Sequence, residues 1–186
     1  MLKLPIDVRI AALSLLPKRG VGVEIGVHEG RFSRLILRHA APSKLFLVDP
    51  WMCASEGAQT ASHYGAKHAD QAKMDERYEG VCRAMADPVR NGRVEILRKT
   101  SVDAAADFED GSLDFVYIDG DHAYDAVVKD LALYYPKVKK GGYIIGDDYM
   151  GGYWWGDGVI RAFHEFLAAN PVEIEAKLGE QIVVKV

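Results

Sequence analysis

Cysteine is scarce in this 186-residue chain, and the two present, Cys53 and Cys82, form no Cys-x-x-Cys pair. That gives no basis for a structural zinc site or a disulfide framework, and it suits a reducing compartment. Excess positive charge is missing too: 23 Lys and Arg stand against 27 Asp and Glu, for a formal net charge of −4. Without a basic stripe, neither nucleic acid nor an anionic membrane is expected as a partner. No apolar stretch approaches the ~20 residues of a membrane helix. The opening Met1-Leu2-Lys3-Leu4-Pro5-Ile6-Asp7 lacks the apolar centre and cleavage site of a secretory signal. A cytoplasmic location is the resulting expectation. Repeats, low-complexity tracts and interdomain linkers are absent as well.

Against those absences, one run stands out. Val23-Glu24-Ile25-Gly26-Val27-His28-Glu29-Gly30 is apolar until an acid appears, then sets two glycines ahead of a helix-like segment. Such a layout suits a strand that ends in a tight turn with exposed backbone, against which a cofactor can press. A second apolar run, Leu45-Phe46-Leu47-Val48, ends in Asp49, where a carboxylate can accept hydrogen bonds from both ribose hydroxyls of a nucleoside. The spacing Glu-x-Gly-x-x-x-Gly is not the Gly-x-Gly-x-x-Gly of dinucleotide sites, and Glu24 and Glu29 add negative charge where a pyrophosphate would sit. These residues favour a nucleoside bearing positive charge, with S-adenosylmethionine as the candidate. An NAD-dependent oxidoreductase is the rival enzyme class, and a non-catalytic S-adenosylmethionine-binding domain is a third reading.

Apolar runs of strand length alternate with segments of helical period, which predicts a doubly wound, mostly parallel α/β sheet covered on both faces. Strands are expected over 21–25, 44–49, 93–97, 113–119 and 142–146. Two β-rich runs around Gly179-Glu180 then predict a C-terminal antiparallel hairpin, giving seven strands. Residues 1–186 read as one domain, with an N-terminal helix within 1–19. Met74, Tyr78, Val81, Cys82 and Met85 mark an amphipathic helix, while 51–68 has no clean period and suits a lid. Asp157 is placed to N-cap the helix after strand five.

With these residues located, the chain resembles the class I S-adenosylmethionine-dependent methyltransferases with a seven-stranded Rossmann-like sheet. Within them it looks most like a small family that carries Asp119-Gly120-Asp121-His122-x-Tyr124 after strand four. The likeness runs from about residue 20 to 186 and rests also on Glu24 to Gly30, Asp49-Pro50-Trp51, Lys137 to Gly142 and Asp147-Asp148-Tyr149. The resemblance implies that Gly26, Gly30 and nearby backbone meet the donor's methionine part, with Glu24 near its ammonium. It also implies that Asp49 holds the ribose, Thr100-Ser101 lie beside the adenine, and Asp119 sits near the amino-acid end. Residue chemistry alone leaves Glu24 open as a turn-stabilising acid and Ser101 as a helix N-cap.

A hydroxyl acceptor must lose its proton during methyl transfer, either to a general base or through a divalent cation that lowers its pKa. Asp119, Asp147 and Asp148 are the metal candidates, for Mg²⁺ or another divalent cation, because they end neighbouring strands. Solvated loop acids are the bland alternative. His122 and Asp121 are the base candidates, with a surface or capping histidine as the alternative. Tyr149, Tyr153, Trp154 and Trp155 suit an acceptor platform, with a core plug or a homodimer contact as the alternative. The expected partner is a small-molecule acceptor.

Overall fold

The computed structural model describes residues 5–54, 58–65 and 70–186. Helix α1 (Pro5–Ser14) precedes β1 (Val21–Ile25), α2 (Arg31–His39) and β2 (Lys44–Val48). Next come α3 (Gln71–Ala84), α4 (Ala86–Arg90), β3 (Val94–Leu97), the single turn α5 (Ser101–Ala104) and β4 (Leu113–Ile118). Then follow α6 (Tyr124–Tyr134), β5 (Val138–Gly146), α7 (Gly158–Ala169), β6 (Glu173–Leu178) and β7 (Gln181–Lys185). The strands form a seven-stranded sheet in the order β3-β2-β1-β4-β5-β7-β6. The first five run parallel, and β7 lies antiparallel to both β5 and β6.

Near-continuous apolar strands are what a sheet buried on both faces requires. In β4, Val116 and Ile118 join Val127, Leu131 and Phe163 from α6 and α7 in one core. Their neighbours Phe115 and Tyr117 point the other way, toward Leu13, Ile36, Met74 and Val81 from α1, α2 and α3. The two-residue period of the strand thus divides one run between two cores. Trp51 is fully buried beside Tyr78 and serves as a core plug.

Residues after Met85 form the separate helix α4. Three local expectations are corrected. Strand β5 begins at Val138, because Lys139, Lys140 and two glycines hide a register shift that the backbone pairing accommodates. Asp157 occupies the position before α7 but makes no side-chain cap. The cap of α5 is Thr100, whose hydroxyl accepts from the Asp103 amide, and Ser101 is the first helical residue instead. The hairpin is as expected, with Gly179 at φ 59° as its first turn residue.

Candidate active site

Sheet order reverses between β1 and β4, the place where open α/β sheets bind ligands. A cavity of about 1080 Å³ opens at this carboxyl edge, lined by residues that follow all five parallel strands. Gly26 leaves β1 at φ 88°, and a Cβ there would overlap the backbone carbonyl of Asp119. Glycine is therefore required by the close approach of the β1 turn to the end of β4. Gly30, at φ 69°, starts α2 without a side-chain cap.

Asp49 is buried, and its carboxylate closes the same turn. One oxygen accepts from the Val27 and His28 amides, each at 2.9 Å, and from the Tyr64 hydroxyl; the other accepts from the Trp51 amide at 2.7 Å. Burial raises its pKa even against these donors. Asp49 reaches the cavity, but here it binds the turn and Tyr64 rather than standing free for a sugar. Of the expected lid at 51–68, residues 55–57 and 66–68 lie outside the described residues. The remainder adds Ala61, Ser62, His63 and Tyr64 to the cavity wall. His28, at φ 54°, has its pKa lowered to about 4, first by burial and then by Arg77, so its ring is neutral.

Glu24 is completely buried, and neither carboxylate oxygen has a hydrogen-bond partner among the described residues. Burial lifts its pKa to about 8; the buried Ser33 hydroxyl opposes this without reaching hydrogen-bond alignment, while Asp119 adds to it. A buried acid with two orphaned oxygens is costly unless a ligand or water completes it. The folded chain keeps the proton that the unfolded chain sheds between about pH 4.5 and 8, so Glu24 lowers stability progressively through that window. Urea melts of Glu24→Gln should therefore gain on the parent by about 3 kcal/mol between pH 5 and pH 8. A gap that does not change with pH would contradict the buried-acid assignment.

Beside this acid, β4 and β5 deliver the charged cluster. His122 Nε2 lies 3.2 Å from Asp148 Oδ2 and 3.5 Å from Asp119 Oδ1, in ion-pair range but without hydrogen-bond alignment. Burial lowers the imidazole pKa, but Asp119, Asp148 and Asp121 outweigh it, and the net shift is upward. Asp121, the other base candidate, accepts from the Ala123 amide at 2.9 Å and shapes the loop locally.

The expected trio of acids is also redrawn. Asp147 turns toward Arg9 and Gln181, while Asp148, at φ 52°, faces the cavity. Among the described residues, ligand-type atoms of Asp119, His122 and Asp148 lie within 4.8 Å of one another and form a group able to hold a cation. Arg9 reaches in from α1, 2.6 Å from Asp119 Oδ2 and over the Phe32 ring. No motif marked Arg9, Tyr64 or Gln181 in the sequence.

At the far end of the β3 connection, the Ser101 hydroxyl donates to Asp130 at 2.5 Å and the Tyr134 hydroxyl donates to the Ser101 carbonyl at 2.8 Å. Trp154 and Trp155 line the cavity, with ring centroids 6.3 and 5.0 Å from that of His122. Tyr149 departs from this group, packing on Phe163 and meeting His164 at 2.8 Å. The Tyr153 side chain lies outside the described residues.

A family model described as a methyltransferase domain matches residues 23–149, and the chain belongs to that family. Over 150 residues it is 29% identical to an uncharacterized protein of Acanthamoeba polyphaga mimivirus, covering 78% of this chain and 58% of that protein. Over 129 residues it is 32% identical to an uncharacterized protein of Sinorhizobium fredii, covering 67% of this chain and 12% of that one. The chain thus spans little more than half of one of these relatives and about an eighth of the other. Among solved structures, the O-methyltransferase NovP superposes with TM-score 0.64 at 21% identity, over 97% of this chain and 78% of NovP. A Streptococcus mutans protein described as a methyltransferase, solved in complex with S-adenosylhomocysteine, gives TM-score 0.63 at 11% identity, over 100% and 99% of the two chains. The fold is that of S-adenosylmethionine-dependent methyltransferases.

Proposed function

We propose that this chain, acting as one catalytic domain, methylates a hydroxyl of a small-molecule acceptor, with S-adenosylmethionine as donor. The observation that carries this reading is His122, held between Asp119 and Asp148 in the same cavity as the β1 turn. One feature supports the donor: the backbone cradle at the cavity wall that only Gly26 permits. The donor supplies an electrophilic methyl group on a sulfonium. His122 takes the hydroxyl proton, and Asp119 and Asp148 stabilise the imidazolium that results. Trp154 and Trp155 offer a broad surface to orient the acceptor, and placement of its oxygen against the methyl supplies much of the rate. The acidic cluster disfavours nucleic acid, in keeping with the chain's net negative charge.

A second reading rests on the convergence of Asp119, His122 and Asp148. These residues fit a divalent cation, which would acidify the acceptor hydroxyl, and an imidazole among the ligands favours Mn²⁺ or a later metal over Mg²⁺. Arg9 on Asp119 competes with such an ion for that carboxylate. Because His122 cannot both ligate a metal and receive a proton, the two readings exclude one another. Calorimetry should show that S-adenosylhomocysteine binds and NAD does not; binding of NAD alone would overturn the donor assignment. With an acceptor found by a labelled-methyl screen, EDTA should leave turnover within about twofold. Loss of activity on chelation, restored by Mn²⁺, would replace the base reading with the metal one.

A further inference from the structure

Arg9 is a cation that takes no part in the proton transfer above, yet it lines the cavity. Ala12 and Leu13, three and four residues further along α1, are completely buried, so the same stripe of the helix carries Arg9 inward. Its guanidinium carbon lies 4.4 Å from the centroid of the Phe32 ring and 5.9 Å from that of Tyr117. Nη2 meets Asp119 Oδ2 at 2.6 Å and pairs with Asp147 Oδ2, while the other Asp147 oxygen accepts from Gln181 Nε2. Gln181 in turn accepts from the Tyr117 hydroxyl. One positive charge is thus held between the ends of β4 and β5 by an aromatic floor and a continuous polar chain.

The same Asp119 carboxylate belongs, with His122 and Asp148, to the group that could ligate a divalent ion. With Oδ2 bound to Arg9, Oδ1 is the oxygen that faces His122, 3.5 Å away. A divalent ion on Oδ1 would share one carboxylate with a guanidinium, and the two cations would repel each other across it. Arginine is not deprotonated in proteins, so this opposition holds at every working pH. Asp147 is withdrawn in the same way, because Arg9 and Gln181 engage its two oxygens. We propose that Arg9 is an internal counter-ion that keeps divalent cations off Asp119, His122 and Asp148, and so leaves the His122 ring nitrogen free to take a proton. Arg9 is then a positioning residue that acts through Asp119. This rests on the base reading above, and it gives α1 a part in choosing between the two chemistries.

The test is Mn²⁺ binding to the whole chain at neutral pH, followed by electron paramagnetic resonance of the free ion, with neither donor nor acceptor present. Arg9→Met, which keeps an apolar stem over Phe32 but not the charge, should bind Mn²⁺ at least about tenfold more tightly than the parent. Arg9→Lys, which keeps the charge, should stay within a few-fold of the parent. Adding His122→Gln to Arg9→Met should remove the gain, because the ion then lacks its imidazole ligand. A residue that only packs α1 against the sheet would destabilise the chain when replaced, without raising its metal affinity. An unchanged affinity in a folded Arg9→Met overturns the proposal, as does a gain that survives His122→Gln. Micromolar Mn²⁺ binding by the parent that His122→Gln abolishes overturns it too, whether or not Arg9→Met folds. The base reading is judged separately, by turnover in EDTA, so either can fail while the other stands.

Discussion

Replacing His122 by Gln is expected to lower kcat for methyl transfer by about 10²–10⁴-fold while leaving S-adenosylhomocysteine affinity within a few-fold. That corresponds to about 3–5 kcal/mol of transition-state stabilisation, the contribution of a positioned general base. Only the neutral imidazole can accept a proton. Its pKa is raised because the nearby acids outweigh the effect of burial, so the basic form accumulates above the usual histidine range. The rate should therefore climb with pH along a limb centred above about 6.5, the unperturbed histidine value. His122→Gln should flatten that limb, and Asp148→Asn should move it to lower pH by removing an anion 3.2 Å from Nε2. A labelled-methyl assay across pH reads both effects. Should His122→Gln keep the limb and most of the rate, the proton has another destination.

The second large effect is structural. Gly26→Ala should lose about 3 kcal/mol or more of unfolding free energy and abolish detectable S-adenosylhomocysteine binding. Two costs combine. An L-residue at φ 88° is strained by about 1–2 kcal/mol. The added methyl also overlaps the Asp119 carbonyl, a backbone atom that cannot rotate away, so the ends of β1 and β4 must separate. Gly111→Ala isolates the first cost, because Gly111 has φ 64° and open space within 4 Å of the point a Cβ would occupy. Urea melts should place Gly26→Ala at least about 2 kcal/mol below Gly111→Ala. Equal losses in the two variants would mean that the β1–β4 contact relaxes freely.

The sheet was legible because burial on both faces writes each strand as an unbroken apolar run, and the strand ends then place Gly26, Asp49 and Asp119 at one edge. Only β5 was shortened, where Lys139-Lys140-Gly141-Gly142 reads as loop although its backbone pairs. The site was legible where a residue follows its strand directly and illegible where it arrives from elsewhere. Arg9 and Asp130 come from helix faces, and Tyr64 from a stretch with no period, so no local pattern could bring them together. Asp147 and Asp148 carry a sharper lesson. Successive residues at a strand end point to opposite sides, so adjacent acids were never equivalent candidates for one ion. The structure resolves the pair, sending one toward Arg9 and Gln181 and the other, through a left-handed backbone, into the cavity.

Arg9 gives the amino-terminal helix a stake in events at the opposite end of the sequence map. Its guanidinium is the counter-charge for both Asp119 and Asp147. Trimming or re-engineering the first dozen residues is thus an electrostatic intervention at the heart of the molecule. An affinity handle placed there is not chemically innocent, whereas one appended after β7 leaves that charge balance alone.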